Sequence, residues 1–295
     1  MRKAVDRMAK AKLDKIPLYH VDAFTAEPFK GNPAAVCFPE QAYKDSVLQS
    51  IASEMNLSET AFVRKLEQKP ISRVHSFSLR WFTPKTEVNL CGHATLASAA
   101  VLFYDVEVSA RKVFFETRSG TLTAEIKNEG IMLDFPSHRT VRAKPSKDFL
   151  AAVGVEDCVD VHVSRKTSDL LIHVQDEAAV KKLKPDFERM KSVGAREDIA
   201  GVIVTSKGAG SYDFVSRFFA PRLGINEDPV TGAAHTVLGP YWSRLLGKSE
   251  MRAFQASERG GEVTVRVLSP DRVGLIGNAV IVSKGELVLD EAALG

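Results

Sequence analysis

The pentapeptide RWFTP at residues 80–84 recurs as RFFAP at 217–221. Each copy precedes a run of small residues at a glycine: CGHATLASAA from Cys91, and TGAAHTVLG from Thr231. A second landmark recurs at almost the same interval. RSGTLT begins 26 residues after Gly92, and RGGEVT begins 27 residues after Gly232. Two landmarks held at one spacing constrain the chain to a duplicated plan. The plainer alternative is a pair of α+β meanders that share turn chemistry. At 295 residues the chain exceeds what one core usually serves, which also favours two domains.

The pattern of apolar residues places elements around these landmarks. LYHVDAF (18–24) reads as a strand, and PFKGNPAAVCF (28–38) as a turn and a second strand, with GNP (31–33) as turn chemistry. SVLQSIASEMN (46–56) has helical spacing, and ETAFVRK (59–65) and SFSLRWFT (76–83) read as strands. HATLASAAVLFYD (93–105) reads as a helix, and 112–135 as three strands joined by turns. The second half repeats this with strands in 169–174, 199–206 and 212–220, a helix over 232–247, and closing strands in 261–289. The expected division is a tail at 1–16 (a short solvated helix or frayed end), an N-terminal domain at 17–138 and a C-terminal domain at 139–295. The last strands are candidates to return to the first domain. Loops around 64–75 and 136–168 are expected to shape a pocket.

Composition excludes several functions. A net charge of +3 with scattered basic residues is no footprint for nucleic acid. No apolar run reaches the roughly 18 residues a membrane span needs, and the basic N-terminus lacks the apolar core of a secretory signal. Cys37, Cys91 and Cys158 are odd in number and lack C-x-x-C spacing, which disfavours a disulfide framework or structural zinc site and suits a reducing, cytoplasmic compartment. No residue cluster has metal-ligand spacing, and no dinucleotide or P-loop glycine pattern is present, so neither a metal nor a cofactor is expected.

In each half a strand leads through a loop to a glycine at a helix start. The first N–H groups of a helix lack intrahelical partners and sit at the positive end of its dipole, so they suit an anion. Gly92 and Gly232 are therefore candidate donors to a carboxylate. Cys91 and His93 flank the first, and Asp228, Thr231 and Ala233 surround the second. Glu59, in LSETAF, is a candidate acid/base. Each also has an ordinary reading: Asp228 as a cap or turn residue, Glu59 as a solvated strand start, His93 as a satisfied histidine at a helix start. Cys37 reads as a strand core residue, and Cys158 as a surface or packing thiol.

These stretches together resemble the PhzF-like family of phenazine biosynthesis, which shares the diaminopimelate epimerase-like fold. The matching pieces are VDAFTAEPFKGNPAAVC (21–37), MNLSETAFV (55–63), RWFTPKTEVNLCGHATLASA (80–99), RFFAPRLGINEDPVTGAAH (217–235), QASERGGEV (255–263) and GNAVIV (277–282). The resemblance implies an α+β fold of two pseudo-symmetric domains, each a mixed sheet rolled around a central helix, with the active site in the cleft between them. It implies that Glu59 shuttles a proton, that His93 and Asp228 hold the substrate, and that Gly92 and Gly232 mark the two helix starts. Family members are often homodimers. Two positions depart from the pattern. Ala233 stands where the family often has serine, which puts the phenazine-pathway substrate in doubt. Thr231 stands where related epimerases carry the second of two catalytic cysteines, and a threonine hydroxyl is too weak an acid or base for that exchange.

The expected activity is a cofactor-independent, one-base proton shift on a small carboxylate metabolite. Burial of Glu59 would raise its pKa toward the operating pH and make it a better base for carbon. Two alternatives stay open. One is an amino-acid racemase or epimerase that uses Cys91 as one base and Glu59 or Asp228 as the other. The other is a metabolite-binding homologue without turnover.

Overall fold

A computed structural model describes residues 13–290. The chain separates into two compact units. Of the described residues, the first comprises 13–22, 33–124 and 279–290; the second comprises 23–32 and 125–278. Two consecutive halves meeting at residue 138 were expected, and the difference has a plain cause. The strand Gly130–Pro136 pairs antiparallel with Arg272–Gly277, which ties it to the second unit. The last strand, Ala279–Asp290, packs on a helix of the first unit. Residues 1–12 of the expected tail lie outside the described residues. Residues 13–16 are part of a regular strand, Leu13–Ala23, rather than a tail. Ile16 is fully buried in it.

In the first unit, strand Asn32–Cys37 runs parallel to Glu59–Lys65, with Ala34 opposite Glu59. Parallel neighbours need a crossover, and helix α1 (Asp45–Met55) supplies it, burying Leu48, Ile51 and Ala52. Asn56 ends it in the left-handed region at φ 49°. Glu59–Lys65 then pairs antiparallel with Ser76–Phe82, which runs parallel to Lys112–Thr117. The short strand Glu87–Val88 lies along Ser76–Phe82. Helix α2 (Gly92–Tyr104) is buried continuously from His93 to Leu102. A helix without a polar face must be central, and its alanines and serine keep it slim.

The second unit repeats these pairings. Strand Asp169–His173 runs parallel to Gly201–Lys207, which pairs antiparallel with Phe214–Ala220, which runs parallel to Glu250–Gln255. Ile225–Asp228 lies along Phe214–Ala220 as Glu87–Val88 does in the first unit. The duplicated plan is therefore a duplicated order of parallel and antiparallel neighbours. The region 136–168, expected as a loop, instead holds helix α3 (Lys147–Val153) and strands Val141–Arg142 and Asp160–Ser164. Helices α4 (Glu177–Lys181) and α5 (Phe187–Arg196) follow. Phe149, Ile172, Met190, Val204 and Phe219 pack together from these helices and strands into one core.

Helix α6 (Gly232–Leu246) is the central helix of the second unit and carries Pro240 in its interior. Proline has no N–H for the carbonyl four residues back. That carbonyl, on Thr236, accepts instead from the His138 N–H at 3.0 Å. At Gly239 an added Cβ would stand 2.8 Å from Val265, so the glycine permits the close helix–sheet approach. Among the described residues, no helix is long and apolar enough to cross a membrane.

Candidate active site

The two central helices begin differently from the others of the second unit. Helices α3, α4 and α5 are capped by the side chains of Ser146, Asp176 and Asp186. Neither Cys91 nor Thr231, at the N-caps of α2 and α6, accepts through its side chain from the N–H groups of its own helix start. In both cases a side chain four residues on bonds the cap carbonyl: Thr95 Oγ1 donates to Cys91 O at 2.5 Å, and His235 Nδ1 lies 2.8 Å from Thr231 O. The caps are held, and their leading N–H groups are left to other partners.

In the first unit three sequence-predicted residues come together. Glu59 opens its strand, and His93 is the second residue of α2; Glu59 Oε2 lies 3.2 Å from His93 Nε2. Cys91 Sγ lies 3.5 Å from His93 Nδ1. The side chains of Glu59 and His93 are 12% and 6% exposed, so this pair is shielded from water. Burial pushes the His93 imidazole down to about 3, which makes it neutral at physiological pH. The Glu59–His93 contact is thus a close approach of a carboxylate to a neutral ring rather than an ion pair, and it falls short of hydrogen-bond geometry. A proton placed on Nε2 leaves Nδ1 to accept from the Cys91 thiol.

Sequence spacing indicated no metal cluster, yet Glu59, Cys91 and His93 each offer a ligand-type atom, all within 4.8 Å of one another. The set has the N, O and S donors that zinc uses. One ring nitrogen of His93 lies within 4.8 Å of both other ligand atoms, although the shortest approaches to Glu59 and Cys91 use opposite nitrogens, Nε2 and Nδ1. The imidazole stands between the carboxylate and the thiol.

In the second unit Asp228, Thr231 and Gly232 come together in another way. Asp228 Oδ2 accepts from Thr231 Oγ1 at 2.5 Å, and Oδ1 accepts from Asn32 Nδ2 at 2.8 Å. Asn32 Nδ2 also donates to the Val230 carbonyl. Gln255 braces the same loop. Its Oε1 accepts from the Thr231 N–H at 2.9 Å, and its Nε2 donates to the Asp228 carbonyl at 2.7 Å. Burial outweighs the bonds from Thr231 and Asn32 and pushes the Asp228 carboxyl up to about 6. Ala233 is exposed on the first turn of α6. Asn32 and Gln255 were not singled out in the sequence. Asn32 lay within a tripeptide read as turn chemistry, and Gln255 opened a stretch that carried the family resemblance without a role of its own. A fully buried polar residue inside an apolar strand would have been the signal, but burial at residue 32 is not periodic enough to read.

A cavity of about 610 Å³ in the second unit is lined by Phe24, Lys30, Glu250, Arg252, Gly260 and Asn278 among others. It includes none of the residues at the α6 start.

Comparison with known proteins agrees with this architecture. A family model described as phenazine biosynthesis-like protein (PhzC–PhzF) matches residues 21–285. An uncharacterised isomerase of Halalkalibacterium halodurans is 46% identical over 276 residues, covering 92% of this chain and 98% of its own. Phenazine biosynthesis-like domain-containing protein 1 of Mus musculus is 46% identical over 285 residues, covering 92% and 99%. The crystal structure of a PhzF-family phenazine biosynthesis protein from Enterococcus faecalis matches with a TM-score of 0.85 at 44% identity, covering 94% and 100%. A hydroxyproline epimerase from Agrobacterium vitis, at 11% identity and a TM-score of 0.58 over 94% and 93%, shares the fold alone.

Proposed function

The chain belongs to the phenazine biosynthesis-like family, and from that premise we propose that it is a cofactor-independent isomerase that moves a proton on a small carboxylate-bearing metabolite. The observation that carries this reading is the shielded 3.2 Å contact between Glu59 and a neutral His93 beside an uncapped helix start. Glu59, as carboxylate, removes a proton from a carbon next to an unsaturated or carboxyl group and becomes a carboxylic acid. The electron pair left on carbon delocalises into that neighbouring group. Glu59 then returns the proton at a second carbon, or on the other face, and regains its charge. A neutral imidazole 3.2 Å away fits this cycle because it offers the carboxylate a polar neighbour without becoming a competing acid.

The N–H groups at Gly92 and Gly232 are assigned to the substrate's negative charge, which grows during proton removal; fixed donors stabilise it with little reorganisation. Asp228, with Thr231, is assigned to holding the substrate, through the loop geometry it fixes ahead of Gly232. Ala233 lines the same turn without a side-chain donor, which favours a substrate with one fewer polar contact than a serine at that position would serve.

Deuterium wash-in tests this assignment. Candidate carboxylates are incubated with the protein in D₂O and followed by mass spectrometry. Wild type is expected to incorporate label, and Glu59→Gln is expected not to. Undiminished incorporation by Glu59→Gln removes it as the base, and binding without product would favour a metabolite-binding homologue. The thiol 3.5 Å from His93 gives the racemase reading its one specific support. Cys91→Ser separates the two, since it abolishes a Cys91-dependent racemase and leaves the Glu59 route largely intact.

A further inference from the structure

The arginine of the repeated R-x-F motif makes the same pair of bonds in each unit. Arg80 donates from Nε to Glu87 Oε1 at 2.8 Å and from Nη2 to Oε2 at 2.7 Å. Arg217 donates from Nε to Glu227 Oε1 at 2.7 Å and from Nη2 to Oε2 at 2.8 Å. Each guanidinium also sits over the ring two residues on, 5.1 Å from Phe82 and 4.9 Å from Phe219. The side chains are largely withdrawn from water, at 25% and 10% exposure for Arg80 and Glu87 and 12% and 21% for Arg217 and Glu227. These pairs are therefore screened less than surface ion pairs.

The chain between the paired residues has not kept its length. Glu87 follows Arg80 by seven positions, and Glu227 follows Arg217 by ten. A 3₁₀ turn, Pro221–Leu223, lies within the longer stretch, between the arginine and its glutamate. The interval from glutamate to helix glycine is the same in both units, five residues from Glu87 to Gly92 and from Glu227 to Gly232. Length differs inside the loop that the pair closes, and is equal where the pair leads into the helix.

From this repeated juxtaposition we propose that Arg80–Glu87 and Arg217–Glu227 are positioning clamps. Each sets the path of the segment entering its central helix, and so the direction of the N–H groups at Gly92 or Gly232 and, in the first unit, of Cys91 and His93. This positioning role rests on the proposed reading of the helix starts as substrate donors. The physical reason is the shape of the bond. A planar guanidinium bonded twice to a carboxylate fixes distance and rotation together, whereas an ammonium fixes distance alone. The clamps differ in support. Arg118 Nη2 also lies 2.7 Å from Glu87 Oε2, so Glu87 has a second cation. Arg259, at the corresponding place in the repeat, donates instead to the carbonyls of Gly31 and Lys30. The second clamp should therefore be the more sensitive to loss of its arginine.

The test is hydrogen–deuterium exchange, read by mass spectrometry on the full chain, for wild type, Arg80→Lys and Arg217→Lys. Both variants keep the charge and lose the paired bonds. Exchange is expected to rise about tenfold, confined to 88–95 in Arg80→Lys and to 228–235 in Arg217→Lys, with the larger rise in the latter. Strands 59–65 and 201–207 should stay protected. The turnover number for deuterium wash-in should fall while KM stays unchanged. If a lysine variant fails to fold, Glu87→Gln or Glu227→Gln, which keeps shape and part of the bonding, should show the same local rise. Unchanged exchange at both helix starts overturns the clamp, as does acceleration spread evenly through the unit. Because exchange needs no substrate, this result is read independently of Glu59. Turnover retained by Glu59→Gln would overturn the proposed reaction and leave the exchange result standing.

Discussion

The helix start at Gly92 and the one at Gly232 sit on the same order of strands but are filled in opposite ways. At the first, a carboxylate, an imidazole and a thiol stand in a row, and the imidazole is held neutral by burial. At the second, Asp228 accepts from Asn32 and Thr231, and Gln255 braces the loop, so the polar atoms are tied to one another. The position after the glycine is His93 in one unit and Ala233 in the other. On the proposed reading, duplication supplied two helix starts that can face an anion, and divergence suits the first to moving a proton and the second to rigid support. A proton carrier must change charge during the reaction, and a network with every member committed to a partner resists that change.

The largest effect that would break this contrast is on turnover. Glu59→Gln is expected to lower deuterium wash-in by about 10³-fold or more, and Asp228→Asn by about tenfold, measured on the same substrate. Equal losses would erase the division of roles. Next comes stability. Asn32→Leu removes a donor from a buried carboxylate and should cost about 3 kcal/mol in chemical denaturation. His93→Gln, which can keep a donor near Glu59, should cost about 1 kcal/mol at neutral pH.

Acid titration sharpens the comparison through its sign. The pKa of His93 is depressed in the folded state, so its contribution to stability is full above about pH 6.5 and is lost as pH falls toward 3. The pKa of Asp228 is raised to about 6 by burial. Its ionised form is penalised on folding, so its contribution falls as pH rises from about 4 to 6. Measured against the respective Gln and Asn variants, the wild-type advantage should therefore grow with pH at His93 and shrink with pH at Asp228. Between pH 4 and 7 the change should be about 3 kcal/mol at His93 and about 2 kcal/mol at Asp228. Slopes of the same sign would contradict the assigned environments. The smallest effect belongs to Ala233→Ser, an exposed position, where stability should stay within about 0.5 kcal/mol while preference among carboxylates shifts.

The repeat was readable in the sequence because it rests on local chemistry. RWFTP and RFFAP mark equivalent strands, and each glycine-led run of small residues could only be a central helix. The strand at 59–65 and the helix at 93–105 were visible from periodicity alone, and the grouping of Glu59 with Cys91 and His93 followed once the family resemblance was recognised. The division of the chain was legible only in part. The last strands were candidates to return to the first unit, but the assignment of 23–32 to the second unit depends on long-range packing that leaves no local signature. Helix α3 and strand Asp160–Ser164 were missed because both are short and carry polar residues on one face. Asn32 and Gln255 escaped notice for a related reason. Their function is to satisfy a buried carboxylate and its loop, and the need for such partners appears only when the loop is folded.

The most direct test of a single proton carrier is label transfer in one turnover. A substrate deuterated at the reacting carbon is mixed with excess protein in H₂O, and the product is analysed at the receiving carbon. If one shielded carboxyl both removes and returns the proton, part of the deuterium reappears there. Product formed by wild type with none of the label would mean that a second group, fed from solvent, delivers the proton, and would contradict the role assigned to Glu59.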